Sequence, residues 1–142
     1  MKRIAILAVL LTAGTAAAAT DGTYSQGNTK KGAGVKMTVA SNVFTMKIIR
    51  LRETCRYGSR TFTDYFTWTS GSRAKITGPV NDDTFSGKYF NSLTGTVKVS
   101  GSFSGPSATI KASESGPYNG ASTRHPNSCS GHKTFVANLP TS

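Results

Sequence analysis

The chain has 142 residues, 37% of them hydrophobic, with seventeen Lys and Arg against six Asp and Glu for a net charge of +11. This length holds one domain with a core of its own and is too short for two. The charge favours an anionic partner and argues against a basic one.

The first nineteen residues read as an export signal. Lys2 and Arg3 form a positive start, the run from Ile4 to Leu11 is apolar but too short to span a bilayer, and Ala16-Ala17-Ala18-Ala19 supplies the small residues a signal peptidase requires. The expected cut follows Ala19, with Ala17 and Ala18 as alternatives, and a retained N-terminal anchor is the competing reading. No cysteine follows the apolar run, which argues against a lipidated N-terminus. The expected organisation is therefore a signal peptide over 1–19 and one secreted domain over 20–142, extracellular or periplasmic, with no transmembrane segment after the signal. Loss of Lys2 and Arg3 leaves fifteen basic and six acidic residues, a charge of +9.

The rest of the chain alternates apolar and polar residues in short runs divided by Gly, Asn and Ser, the pattern of half-buried antiparallel strands. Val35, Met37 and Val39 form the first such run, with Ser41-Asn42 as turn material. Phe44, Met46 and Ile48 share a face; at Ile48-Ile49 the phase slips, so that Ile49 and Leu51 become the apolar set while Arg50 and Arg52 face away. A slip of one residue exchanges the faces of a strand, and predicts a β-bulge or a sheet switch here. Phe62, Phe66 and Trp68 line the next strand. Ile76 marks a short strand before the Gly78-Pro79 turn, Asp82-Asp83 reads as a turn, and Phe85 to Tyr89 is a strand. Val97, Val99 and Phe103 alternate before Gly105-Pro106 turns the chain, and Ala108, Ile110 and Ala112 follow. Residues 114–128 read as a long surface loop, and Phe135 and Ala137 belong to the last strand. About eight strands at this spacing predict an all-β fold, a single antiparallel β-sandwich of jelly-roll type.

Cys55 and Cys129 are the only cysteines. In an exported chain they are expected to form one disulfide; free thiols or an intermolecular bond are the alternatives. Two cysteines without C-x-x-C spacing make a poor zinc ligand set, and no metal or cofactor is expected. A bond closing 74 residues contributes about 4–5 kcal/mol on chain-entropy grounds, decisive where total stability is about 5–15 kcal/mol.

The start Asp21-Gly22-Thr23-Tyr24-Ser25, the lone Cys55, the element Gly101-Ser102-Phe103-Ser104-Gly105 and the sequence Cys129-Ser130-Gly131 before a terminal strand carry a resemblance. Together they resemble a group of small secreted bacterial β-proteins that share a G-x-Y start and two cysteines. Gln26 after Ser25 departs from that pattern, as does Phe135 where tryptophan is common. The resemblance implies the fold and the disulfide, and brings no activity.

Arg50, Arg52, Arg56 and Arg60 crowd eleven positions around Cys55, with Glu53 alone to offset them. They are candidate anion-binding residues for an anionic envelope polymer, acidic lipid headgroups or nucleic acid; a solvated, solubilising strand face is the bland alternative. Tyr57 and Tyr65 are candidate stacking rings, and Tyr65, Trp68, Tyr89 and Tyr118 could serve a carbohydrate. Lys30, Lys31, Lys36, Lys98, Lys111 and Lys133 are dispersed, which argues against one focused groove. Asp64 interrupts the apolar stripe between Phe62 and Phe66, where a carboxylate needs a partner or a task. His125 and His132 flank Cys129, but a disulfide closes any Cys/His nucleophile pair, and no phosphate loop, nucleophile elbow or metalloprotease helix is present. The sequence thus favours a non-enzymatic binding or surface-interaction module with no assigned catalytic residue. A small hydrolase using Asp64 or the His125/His132 region is the alternative, and an enzyme inhibitor presenting the 114–128 loop is a third.

Overall fold

The computed structural model describes residues 18–117 and 127–141. Residues 1–17 of the expected signal, with His125 and Tyr118, lie outside the described residues. Nine strands follow one another: β1 (Gly22–Gly27), β2 (Gly34–Ala40), β3 (Val43–Tyr57), β4 (Arg60–Thr69), β5 (Thr77–Pro79), β6 (Thr84–Asn91), β7 (Gly95–Ser104), β8 (Ser107–Gly116) and β9 (Asn127–Asn138). They form one antiparallel sheet in the order β4-β3-β2-β1-β9-β8-β7-β6, with β5 beside β3. Among the described residues no helix is long and apolar enough to cross a membrane.

Period-two burial sorts the side chains as the alternation requires. Strand β2 buries Val35, Met37 and Val39, β7 buries Val97, Val99 and Phe103, and β8 buries Ala108, Ile110 and Ala112. Ser41-Asn42 and Asp82-Asp83 form two-residue turns with φ between 47° and 60°, the left-handed conformation that Asn and Asp tolerate best. Strand β1 was not distinguished in the sequence pattern, because Tyr24 is its one fully buried large side chain. The Tyr24 hydroxyl donates to the Thr20 carbonyl at 2.9 Å and ties the residue after the expected cut to the sheet. The last loop is shorter than 114–128: β8 runs to Gly116 and β9 begins at Asn127.

Strand β3 organises the sheet. Along one edge it pairs first with β2, over Val43 to Arg50, and then with β9, over Thr54 to Tyr57. Its other edge takes β5 and then β4. Opposite β2 the register passes from Met37↔Met46 to Lys36↔Ile48, which leaves Lys47 as the extra residue of a β-bulge. The bulge sits one residue before the expected slip, and it lets Phe44 and Met46 share the interior with Ile49 and Leu51. Pairing of β3 with β9 closes a ring of four strands with β2 and β1.

Cys55 lies directly opposite Cys129 at this junction, with Cα atoms 4.0 Å apart, and the two are bonded. The bond joins the third strand to the last. A chain of rings fills the space inside: Phe44 against Phe85 at 4.9 Å, Phe85 against Phe103 at 5.2 Å, and Phe103 against Tyr24 at 5.2 Å. Gly101 makes room for this chain. A Cβ there would lie 2.0 Å from the Thr109 carbonyl oxygen and 2.7 Å from the Phe85 ring.

Two outcomes follow from this packing. Gly101→Ala is expected to cost about 1–3 kcal/mol, because backbone and a buried ring must both move, as read by urea unfolding. A Cys55→Ser/Cys129→Ser variant is expected to lose about 2–5 kcal/mol; equal midpoints for parent and variant would show that the strand pairing holds the junction without the bond.

Candidate functional site

The outward rows of the β6–β9 half follow from strand register alone. One row reads Lys88, Lys98, Ser113, His132, and the next reads Ser86, Ser100, Lys111, Thr134. The rows on either side add Phe90, Thr96, Ser115 and Ser130, and then Thr84, Ser102, Thr109 and Val136. This half of the sheet is therefore a hydroxyl-covered surface carrying three lysines and a histidine. Between them lies a groove of about 700 Å³, which Lys133 also lines. Lys98 and Lys111, dispersed in sequence, thus stand on adjacent outward rows with Lys88 and His132. Cross-strand register gathers residues that sequence separates, whereas Lys30, Lys31 and Lys36 do not line this groove.

The outward side of β3 meets that of β9 where Thr54 and Arg56 pair with Ser130 and Ser128. Arg50, Arg52 and Arg56 occupy alternate outward positions of β3, opposite Thr67, Tyr65 and Thr61 of β4. Arg50 donates from Nη1 to the Thr67 hydroxyl at 3.0 Å and stacks its guanidinium 4.7 Å from the Tyr65 ring centre. Arg52 donates to the Thr63 hydroxyl at 3.5 Å. Arg60, opposite Tyr57 across the hairpin end, falls on the other side by alternation. One face of the exposed Tyr65 ring is thus held by an arginine, and Tyr57 is half-buried. Trp68 is buried and cannot serve as an exposed carbohydrate platform, since it packs 6.2 Å from Tyr89 in the core.

All six acidic side chains lie elsewhere. Asp82 and Asp83 form the turn before β6, and Asp21 accepts a hydrogen bond from the Ser41 N–H at 3.0 Å. Glu53 does not offset the arginines as its sequence position suggests: it points inward between Leu51 and Cys55 and is 7% exposed. It faces Glu114 of β8, itself 5% exposed. The residue between these two strands is Gly131, paired with Glu114 and so close to β3 that a Cβ would stand 2.7 Å from the Arg52 carbonyl oxygen. A side chain at 131 would separate the two acids; glycine lets them meet. Asp64 stands opposite Glu53 on β4, exposed, and accepts the Tyr65 N–H at 2.7 Å.

These three acids line a cleft of about 390 Å³ beside the disulfide. Burial pushes the Glu114 carboxyl up to about 8, helped by its hydrogen bond to Glu53 and by the charge of Glu53. Burial raises Glu53 as well, with Asp64 adding repulsion and the hydrogen bond to Glu114 opposing both. At neutral pH the pair holds a proton between its two carboxyls. The Glu53 carboxylate also approaches the sulfurs of Cys55 and Cys129, but bonded cysteines offer no thiolate to a metal ion.

Asp64 was the only member of this trio singled out by sequence. Glu53 and Glu114 carried a signal nonetheless: each continues the inward phase of a strand, after Leu51 and after Ile110 and Ala112. Comparison of the chain with protein families, curated proteins and solved structures finds no match.

The proton shared by Glu53 and Glu114 gives a signed pH dependence. A carboxyl whose folded value lies above its unfolded value stabilises the fold fully below about pH 4.5 and loses that contribution as pH rises toward 8. Stability of the native protein is expected to fall by about 2–4 kcal/mol between pH 5 and pH 9, as read by urea unfolding. Glu114→Gln, whose amide can still donate to Glu53, is expected to flatten that dependence; an unchanged slope would show that the two carboxyls do not share a proton.

Proposed function

We propose that this protein is a non-enzymatic binding module that takes an extended anionic partner on the outward face of its sheet. The observation that carries the reading is the separation of charge. Lys88, Lys98, Lys111 and His132 on one half, and Arg50, Arg52 and Arg56 on the other, all occupy outward positions, on rows that bear no carboxylate. A purely solubilising surface intersperses both signs; one sign spread over strands that are far apart in sequence is the arrangement that attracts a polyanion. The hydroxyls between the cations supply neutral donors for phosphate, sulfate or carboxylate oxygens. An anionic polymer of the cell envelope, or one met outside the cell, fits this surface, and secretion of the chain after loss of residues 1–19 would bring the two together.

The scaffold belonging to this reading is a sandwich of jelly-roll type, in which the β4-β3-β2-β1 and β9-β8-β7-β6 halves stack face to face. Ring contacts between the halves, Phe44 with Phe85 and Trp68 with Tyr89, support it.

Linear polyphosphate is the probe that tests the surface. Binding is expected at low salt and, if about four charges are neutralised, to weaken about a hundredfold between about 50 and 200 mM salt. Lys98→Glu/Lys111→Glu should weaken it at least tenfold with the fold intact. Absence of binding at low salt, or binding indifferent to this double substitution, contradicts the proposal.

One observation favours a second reading, acid–base hydrolysis in the cleft: Glu114 holds a proton beside Glu53, with Asp64 opposite. Its mark would be turnover of a chromogenic ester or glycoside that Glu53→Gln abolishes. Turnover unaffected by Glu53→Gln contradicts it.

A further inference from the structure

Two large apolar side chains stand out of the sheet at one end of the molecule. Leu93, in the β6–β7 turn, is 73% exposed, and Phe90, three residues before it, is 68% exposed; no other large hydrophobic residue described is as open. The turn that carries them is ordered by its own hydrogen bonds. Asn91 accepts the Leu93 N–H on Oδ1 at 2.8 Å and the Thr94 N–H on its carbonyl at 3.2 Å. Leu93 is thus held away from the body of the sheet, although a core of apolar side chains is available a few residues away.

Register shows what surrounds them. The row Asn91↔Gly95 lies at the end of β6 and β7, Gly116↔Cys129 at the matching end of β8 and β9, and Cys129↔Cys55 joins these to β3. The β6–β7 turn and the β3–β4 hairpin therefore project from the same end of the sheet, and the second of them carries Arg56 and Arg60. On the outward side Lys88 precedes Phe90 by two residues, about 7 Å along the strand, and Lys98 stands opposite Lys88. The acids at this end, Glu53, Asp64 and Glu114, lie on the inward rows. An apolar point below a tier of cations is the charge and polarity profile of a bilayer leaflet read from acyl chain to phosphate.

We propose that this end of the molecule docks on an anionic lipid bilayer, with Phe90 and Leu93 entering the headgroup–acyl boundary and Lys88, Lys98, Arg56 and Arg60 meeting the lipid phosphates. The inference rests on the anionic-partner reading and names that partner as a membrane surface. Self-association through the same tip is opposed by the four cations around it, which two copies would bring together.

The test uses the oxidised protein with mixed phosphatidylglycerol–phosphatidylcholine vesicles, and with phosphatidylcholine vesicles alone as the reference. Parent and variants are prepared identically. The parent is expected to co-sediment with the anionic vesicles in excess of the neutral ones. Phe90→Ser/Leu93→Ser is expected to bind the anionic vesicles at least tenfold more weakly while binding polyphosphate as the parent does. A Phe90→Trp variant should show blue-shifted emission quenched by lipids brominated on the acyl chain. Equal vesicle binding by parent and Phe90→Ser/Leu93→Ser overturns the inference, and so does emission that brominated lipid leaves unquenched. A parent that binds polyphosphate but no vesicle overturns the membrane inference and leaves the polymer reading standing; binding to neither probe removes both. Concentration-dependent dimers that Phe90→Ser/Leu93→Ser dissolves would assign the tip to a second copy and overturn the inference as well.

Discussion

Strand β3 has two partners along one edge, and the rest of the molecule is arranged by how it changes from one to the other. It leaves β2 after Arg50 and takes up β9 at Thr54. A flat strand could not do this while keeping one face dry, since its inward phase would be fixed along its whole length. The bulge at Lys47 resets the phase, and the Cys55–Cys129 bond holds the second pairing where β3 and β9 meet. Once both are in place, the outward side of β3 must carry Arg50, Arg52 and Arg56. The inward side must accept Glu53 between Leu51 and Cys55.

That last placement has an electrostatic cost which the structure offsets locally. Two carboxyls withdrawn from water cannot both ionise cheaply at short range, so they keep a proton between them. Gly131 is what allows them to approach, because it removes the side chain of the intervening strand. The arrangement withdraws Glu53 and Glu114 into the interior and leaves the bases of the sheet outside. A basic protein of this kind would ordinarily screen its cations with neighbouring carboxylates; here half of the acidic side chains face inward and the other half sit in or beside turns. The outward surface is positive because its counter-charges have been placed elsewhere.

Much of the fold was legible in the sequence, and the reasons are local. Alternation over Val35 to Val39 or Ala108 to Ala112 is a direct record of burial on one face, and the turn residues Ser41-Asn42 and Asp82-Asp83 advertise their backbone conformation. The phase slip near Ile48 foretold the bulge to within one residue. Strand β1 was hidden because a strand with one large buried residue leaves no periodic trace. The lysine groove and the carboxyl pair were hidden for a different reason. Lys88, Lys98 and His132 come together only through the pairings of four strands, and Glu53 meets Glu114 only across β9. Alternation gives each residue a face; only register gives it neighbours.

The surface reading stands or falls on where an anion touches the protein. Amide chemical shifts followed during a titration with a short polyphosphate address this residue by residue, whatever the affinity. The outward-face reading predicts that the largest changes fall on Lys88, Lys98, Lys111, His132 and the outward positions of β3. The inward rows of the same strands should move little. Changes confined to the cleft around Glu53 and Glu114, or spread evenly over every lysine and arginine of the chain, would contradict it.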